Sequence, residues 1–208
     1  YCAERVPSFV KFFKDNNILI GISIDGSEHN HNHYRRSISG KPTFRMVMKG
    51  IEALQRNDVD FNTLSVVNDY NVSFASETYR FLKSIGSRFI QFLPVVERIS
   101  VNGGGRELKL LAPFHGDAQL APWSVGSKAY GQFLITIFDE WVRNDVGRIF
   151  VQIFDSTLAN SVGVNPGLCT FNETCGDALI MEHNGDIFSC DHFVYPEYYL
   201  GNITETPL

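Results

Sequence analysis

Three of the four cysteines, Cys169, Cys175 and Cys190, fall in one short stretch, while Cys2 stands apart. Soft thiolates grouped in this way suit Zn²⁺ or an iron–sulfur cluster. Five residues separate Cys169 from Cys175, nine separate Cys175 from Gly185, and four separate Gly185 from Cys190. That spacing sets Cys175 and Cys190 at opposite ends of a hairpin, where paired strands let their side chains converge, with Cys169 near enough to add a third ligand. The same thiols would also fit a buried core, or one disulfide and a spare. No C-x-x-C pair is present, and three thiolates leave a fourth ligand to come from elsewhere, so both readings stay open on spacing. A second group is the alternation of His29, His31 and His33. In an extended segment the three rings would face one side and could chelate a divalent metal; in a loop they would be solvated.

The elements that must position these groups follow from periodicity. An amphipathic segment from Val10 to Asn16 precedes the apolar run Ile18 to Ile24, which reads as a strand. Thr43 to Arg56 places Phe44, Val47, Met48, Ile51 and Leu54 three and four residues apart, as a helix does. Phe61 to Val67 reads as a strand, Glu77 to Ser84 as a helix, and Phe89 to Leu93 as another strand. A helix from Ser127 to Arg143 and a strand from Ile149 to Ile153 add a further unit. Repeated βα units imply a parallel sheet flanked by helices, barrel-like or doubly wound. Val95 to Val125, rich in Gly and Pro and without periodicity, reads as a long loop over one end of that sheet. From about residue 165 the character changes to a small second module. In it, Ala178 to Ser189 carries Asn184-Gly185 between two strand-like runs, the signature of a hairpin with a type I′ turn.

Composition bounds the function. With 44% hydrophobic and 20% charged residues among 208, the chain is an ordinary globular α/β sequence with enough length for a sizeable core. A net charge of −5 and no basic run argue against a nucleic-acid partner. No apolar stretch approaches the ~20 residues a membrane span requires, and the N-terminus lacks signal-peptide character, so a cytoplasmic protein without a membrane partner is expected. The chain starts without Met and stops at what looks like a strand exit, 201–208, and both ends are expected to be cut.

Several runs together resemble one family. Cys169-x5-Cys175-x9-Gly185-x4-Cys190-Asp191-His192-Phe193 resembles the opening of the SPASM domain of anaerobic sulfatase-maturating enzymes. Gly21-Ile22-Ser23-Ile24-Asp25-Gly26 is similar to a strand of their radical S-adenosylmethionine (SAM) barrel. Phe61-Asn62-Thr63-Leu64, Ser87-Arg88-Phe89-Ile90-Gln91-Phe92 and Tyr195-Pro196-Glu197-Tyr198 follow in the family's order. The resemblance implies a partial (β/α) radical SAM barrel over residues 1–164 and the start of a SPASM domain with a β-hairpin over 165–208. It implies a radical SAM oxidoreductase that converts a Cys or Ser of a sulfatase polypeptide to Cα-formylglycine by way of a 5′-deoxyadenosyl radical. Carried over by position, Ser23 and Arg35 would contact SAM and Val96 would touch its adenosine. Cys169, Cys175 and Cys190 would ligate auxiliary [4Fe–4S] clusters, and Asp191 would be the base that takes the substrate's proton. An electron donor such as a flavodoxin or ferredoxin is implied as a partner. A carboxylate beside a cluster ligand suits that chemistry, since the carbon radical must lose both a proton and an electron.

The sequence departs from the family pattern. The CxxxCxxC signature of the radical-generating cluster is absent from these residues, as are the downstream cysteines that would complete the auxiliary clusters, so the chain by itself is expected to be inactive. Ser27 stands where the family usually has Pro, and Asn32 where Asp is common. Two rival expectations remain: a radical SAM maturase acting on another peptide, and a non-catalytic module binding a metal or peptide through the hairpin thiols.

Overall fold

A computed structural model describes residues 6–100, 112, 114–116, 118–174 and 178–205. The chain divides into two compact units, residues 1–96 with 122–158, and residues 97–121 with 159–208.

The first unit is built on four parallel strands in the order β1-β2-β3-β6: β1 Ile20–Ser23, β2 Phe61–Val67, β3 Phe89–Pro94 and β6 Phe150–Val151. Helix α1 Val6–Asp15 precedes β1, and α3 Phe44–Arg56, α4 Ala75–Ser84 and α5 Ser127–Asn144 run between the strands, with the shorter α2 Glu28–Tyr34 directly after β1. The strands alternate as the pleat requires. In β2, Phe61, Thr63, Ser65 and Val67 are buried while Asn62, Leu64 and Val66 are half-buried. The buried set packs with Ile24, Ile90, Phe92 and Val151 against Val10, Ile51, Leu54, Tyr79, Leu82 and Ile137 of the helices. The polar members of that face have partners: the Thr63 and Ser87 hydroxyls are 2.8 Å apart, and the Ser65 hydroxyl donates to the Ile24 carbonyl. On the opposite face Ser23 of β1, Leu64 of β2 and Gln91 of β3 lie level in register and are half-buried or exposed. The helices thus cover one face of the sheet in this unit.

The α/β expectation holds, with differences at three places. The strand expected over Ile149 to Ile153 is only two residues long, and α6 Gln152–Ser161 begins at once. As an edge strand β6 pairs only through Phe89↔Phe150 and Ile90↔Val151, and the Ile149 carbonyl instead accepts from Trp141 Nε1 at 2.8 Å. The stretch Val95 to Val125 is not an uninterrupted loop. In the second unit β4 Arg98–Ser100 and β5 Ala118–Leu120 pair antiparallel, and residues 101–111, 113 and 117 between them lie outside the described set. The hairpin expected at Asn184-Gly185 forms, but with a different turn. Strands β7 Ile180–Met181 and β8 Asp186–Phe188 are joined by a turn in which Gly185 N–H donates to Glu182 O at 2.9 Å. Gly185 has φ +90 and Asn184 is not among the residues with positive φ, so the turn is not type I′. Glu182 N–H donates to Asp186 O at 2.8 Å, which leaves residues 183–185 as the connection, and a type I turn followed by a glycine with positive φ closes it without Asn184 taking one. β9 Tyr199–Asn202 adds a third antiparallel strand beside β8. No helix among the described residues is long and apolar enough to cross a membrane.

Candidate functional site

In the first unit the predicted residues sit where a parallel sheet binds ligands, at the carboxyl ends of its strands. Ser23 is the last residue of β1 and is exposed, and its hydroxyl makes no hydrogen bond among the described residues. Val96 follows β3 at the same edge, 51% exposed, with the chain there held by Val95 N–H donating to Val67 O at 2.9 Å. Arg35, at the C-terminal end of α2, forms a two-point ion pair with Asp25: Nε lies 2.5 Å from Oδ2 and Nη2 lies 3.1 Å from Oδ1. Asp25 is buried and also accepts the Val66 N–H at 2.9 Å, while 30% of the Arg35 side chain remains exposed. Nη1 of Arg35 has no partner among the described residues. Gly26, next to Asp25, holds φ +108, and a Cβ there would meet Thr78 Oγ1 at 3.0 Å. The tight turn out of β1 therefore needs glycine at this point.

The histidine run does not form a chelating row. It lies in α2, where positions two apart point to different sides, so His31 is buried and His29 and His33 are exposed. His29 lies by Ser27 and Glu77, and His33 stacks on Tyr70 with ring centroids 3.8 Å apart. The buried ring has a defined tautomer. Its Nδ1 accepts the Asp25 backbone N–H at 3.3 Å. Its Nε2 faces Thr43 Oγ1 at 3.1 Å, whose own proton goes to the Arg35 carbonyl at 2.7 Å, so Nε2 carries the hydrogen. Burial, opposed by Asp25 and aided by Arg35, lowers the His31 pKa from 6.5 to about 4. The unfolded ring takes up a proton near 6.5 and the folded one only near 4. Its contribution to stability is thus complete above 6.5 and is lost as pH falls from there to about 4, by roughly 3 kcal/mol at most. We expect urea denaturation at pH 7 and pH 4.5 to show a steeper loss of stability for the native protein than for His31→Gln; equal losses would contradict a neutral buried ring.

Two residues that depart from the family pattern keep local structure. Ser27 has φ −60, an angle a proline ring also holds, and its hydroxyl donates to Glu77 at 2.5 Å. Asn32 Oδ1 accepts the backbone N–H groups of Thr43 and Phe44 at 3.1 and 3.0 Å, capping the start of α3 as an aspartate oxygen would.

In the second unit Cys169 and Cys190 are free thiols, Cys169 exposed and Cys190 half-buried; Cys175 lies outside the described residues. Cys190 Sγ, the Asp191 carboxylate and the His192 imidazole gather within 4.8 Å of one another. Cys190 Sγ lies 3.3 Å from Asp191 Oδ1, and His192 Nδ1 lies 3.1 Å from the same oxygen. The His192 N–H, 3.5 Å from Sγ, favours the thiolate, but desolvation, Asp191 and Cys169 outweigh it and hold the thiol above its usual pKa. Asp25 and Thr43 were not singled out as site residues by the sequence, and His31 was considered only as one of a possible chelating row. The one signal available for Asp25 was its place beside Ser23 in the motif.

Comparisons with known proteins bear on the sequence and the fold as a whole. No family model matches the chain. It is 52% identical over 193 residues to a serine-type anaerobic sulfatase-maturating enzyme of Bacteroides thetaiotaomicron, covering 93% of this chain and 46% of that one. It is 34% identical over 199 residues to a cysteine-type enzyme of Clostridium novyi, covering 95% of this chain and 49% of the relative. The structure superposes on native anSMEcpe with bound AdoMet at a TM-score of 0.79 and 27% identity, over 97% of this chain and 51% of that one. A second structure of that protein, with bound AdoMet and the Cp18Cys peptide, matches at a TM-score of 0.78 and 27% identity, over 96% of this chain and 52% of the other. The chain thus spans about half the length of the relatives it matches. Along nearly its whole length the chain is similar, in sequence and in fold, to about half of an anaerobic sulfatase-maturating enzyme.

Proposed function

We propose that this protein is a radical SAM oxidoreductase that converts a serine or cysteine of a sulfatase polypeptide to Cα-formylglycine. The observation that carries the reading is the 52% identity to a serine-type sulfatase-maturating enzyme over 93% of the chain. In this reading residues 1–164 belong to the SAM barrel and 165–208 open the SPASM domain. The residues present suit the groups such an enzyme needs. Among the described residues Ser23 offers a hydroxyl with no hydrogen bond and Arg35 a partly exposed guanidinium whose Nη1 has no partner, a match for the ribose and carboxylate of SAM. Val96 offers an apolar side chain at the same edge for the adenosine. Cys169 and Cys190, both free thiols, would hold an auxiliary [4Fe–4S] cluster together with Cys175 and ligands from elsewhere.

When bound, SAM and a reduced [4Fe–4S] cluster would supply the 5′-deoxyadenosyl radical that takes a hydrogen atom from the substrate Cβ. For a serine substrate the carbon must then lose the hydroxyl proton and one electron as the C=O bond forms. Asp191 would accept that proton, and its carboxylate lies beside Cys190, which would hold an auxiliary cluster able to accept the electron. A flavodoxin or ferredoxin would deliver the electron that starts the cycle, and a reducing cytoplasm would keep Cys169 and Cys190 as thiols.

The test uses the full-length protein, produced without oxygen and with its clusters reconstituted, incubated with SAM, a reductant and serine- or cysteine-containing sulfatase peptides. Mass spectrometry is expected to show the serine peptide losing two hydrogens. SAM cleavage with both peptides unchanged would point to another peptide substrate. No SAM cleavage would overturn the enzyme reading in favour of a non-catalytic module.

A further inference from the structure

We infer that Asp25 is the positioning residue of the SAM site, fixing the Arg35 guanidinium in the orientation that meets the ligand. The inference rests on the SAM reading above. Four residues form a closed circuit of hydrogen bonds at the carboxyl end of β1. Asp25 holds the Arg35 guanidinium at two points, 2.5 and 3.1 Å. The Asp25 backbone N–H donates to His31 Nδ1 at 3.3 Å, His31 Nε2 donates to Thr43 Oγ1 at 3.1 Å, and the Thr43 hydroxyl donates to the Arg35 carbonyl at 2.7 Å. Arg35 is therefore held at both ends, its backbone through Thr43 and its head group through Asp25.

The arrangement has a consequence for binding. Arginine has many rotamers, and a free one must be ordered when a ligand arrives. Here Nε and Nη2 are already committed to a carboxylate that is itself fixed by the Val66 N–H at 2.9 Å. Both contacts lie on one side of the planar fork, which leaves Nη1 and the second Nη2 hydrogen facing away from Asp25 as donors for the ligand. His31 contributes without charge, because a neutral ring accepts from Asp25 on one nitrogen and donates to Thr43 with the other.

The experiment measures SAM binding by equilibrium dialysis on the full-length protein with its clusters reconstituted, for the native form, Asp25→Asn, Arg35→Ala and the double variant. Asparagine keeps the shape and can still accept the Val66 N–H, but its amide meets the guanidinium donor to donor. Asp25→Asn is expected to raise the SAM Kd about tenfold. The double variant is expected to bind no more weakly than Arg35→Ala, since Asp25 acts through Arg35. Equal binding by Asp25→Asn and the native protein, or additive losses in the double variant, would overturn the inference. If Asp25→Asn does not fold, Arg35→Lys decides: it keeps the positive charge and loses the two-point contact, so a Kd raised about tenfold supports positioning and a native Kd refutes it. Failure of the native protein to bind SAM would instead sink the reading on which the inference stands.

Discussion

Asp191→Asn is expected to slow formylglycine formation by about 100- to 10,000-fold while SAM cleavage continues. Asparagine has nearly the same size and can still accept a hydrogen bond from His192, whose Nδ1 lies 3.1 Å from Asp191 Oδ1, so the local geometry should survive. What it loses is basicity. In the proposed mechanism hydrogen-atom abstraction at Cβ would not depend on this carboxylate, but loss of the substrate's proton would, so radical formation and product formation should uncouple. Rates of 5′-deoxyadenosine release and of peptide oxidation, measured side by side on the full-length protein, read this directly. Parallel loss of both would assign Asp191 to structure or to cluster assembly, and native rates of both would remove it from the mechanism.

Trp141→Ala carries the largest expected cost in stability, about 3–5 kcal/mol. Trp141 is buried in α5 and packs against Phe138 and Phe154, with ring centroids 5.7 and 5.3 Å away. Its Nε1–H donates to the Ile149 carbonyl at 2.8 Å, immediately before the two-residue β6. The substitution therefore removes a large apolar side chain and leaves a carbonyl without its donor at the edge of the parallel sheet. Urea denaturation followed by tryptophan-independent far-UV dichroism should show the midpoint shifted strongly downward. Trp141→Phe, which keeps most of the packing and loses the donor, should cost about 1–2 kcal/mol. A cost for Trp141→Ala below that of Trp141→Phe would refute this account of the β6 edge.

Much of the fold was legible because its signals are local. The alternation in Phe61-Asn62-Thr63-Leu64-Ser65-Val66-Val67 became β2 with alternating burial, and the spacing of Phe44, Val47, Met48, Ile51 and Leu54 became α3. Boundaries moved where long-range pairing sets the length. β6 stops after two residues because only Phe89 and Ile90 of β3 face it. The type I′ expectation at Asn184-Gly185 failed because the three-residue connection needs left-handed backbone at Gly185 alone. The histidine row dissolved for a related reason: alternation predicts a common face only in a strand, and these residues are helical.

The sequence by itself determined the order of βα units, the hairpin, the grouped thiols and the two separate runs that carry Ser23 and Asp191. Only the tertiary structure decided which of the neighbouring polar residues are spectators and which are held. Asp25 is buried because Val66, 41 residues away, offers it an N–H and Arg35 a guanidinium, and His31 is neutral because Thr43 and the Asp25 backbone fix its two nitrogens. Spacing along a chain encodes which face a side chain takes within its own element. It does not encode the partner that element will meet, and it is the partner, through burial and hydrogen bonding, that sets charge state and orientation.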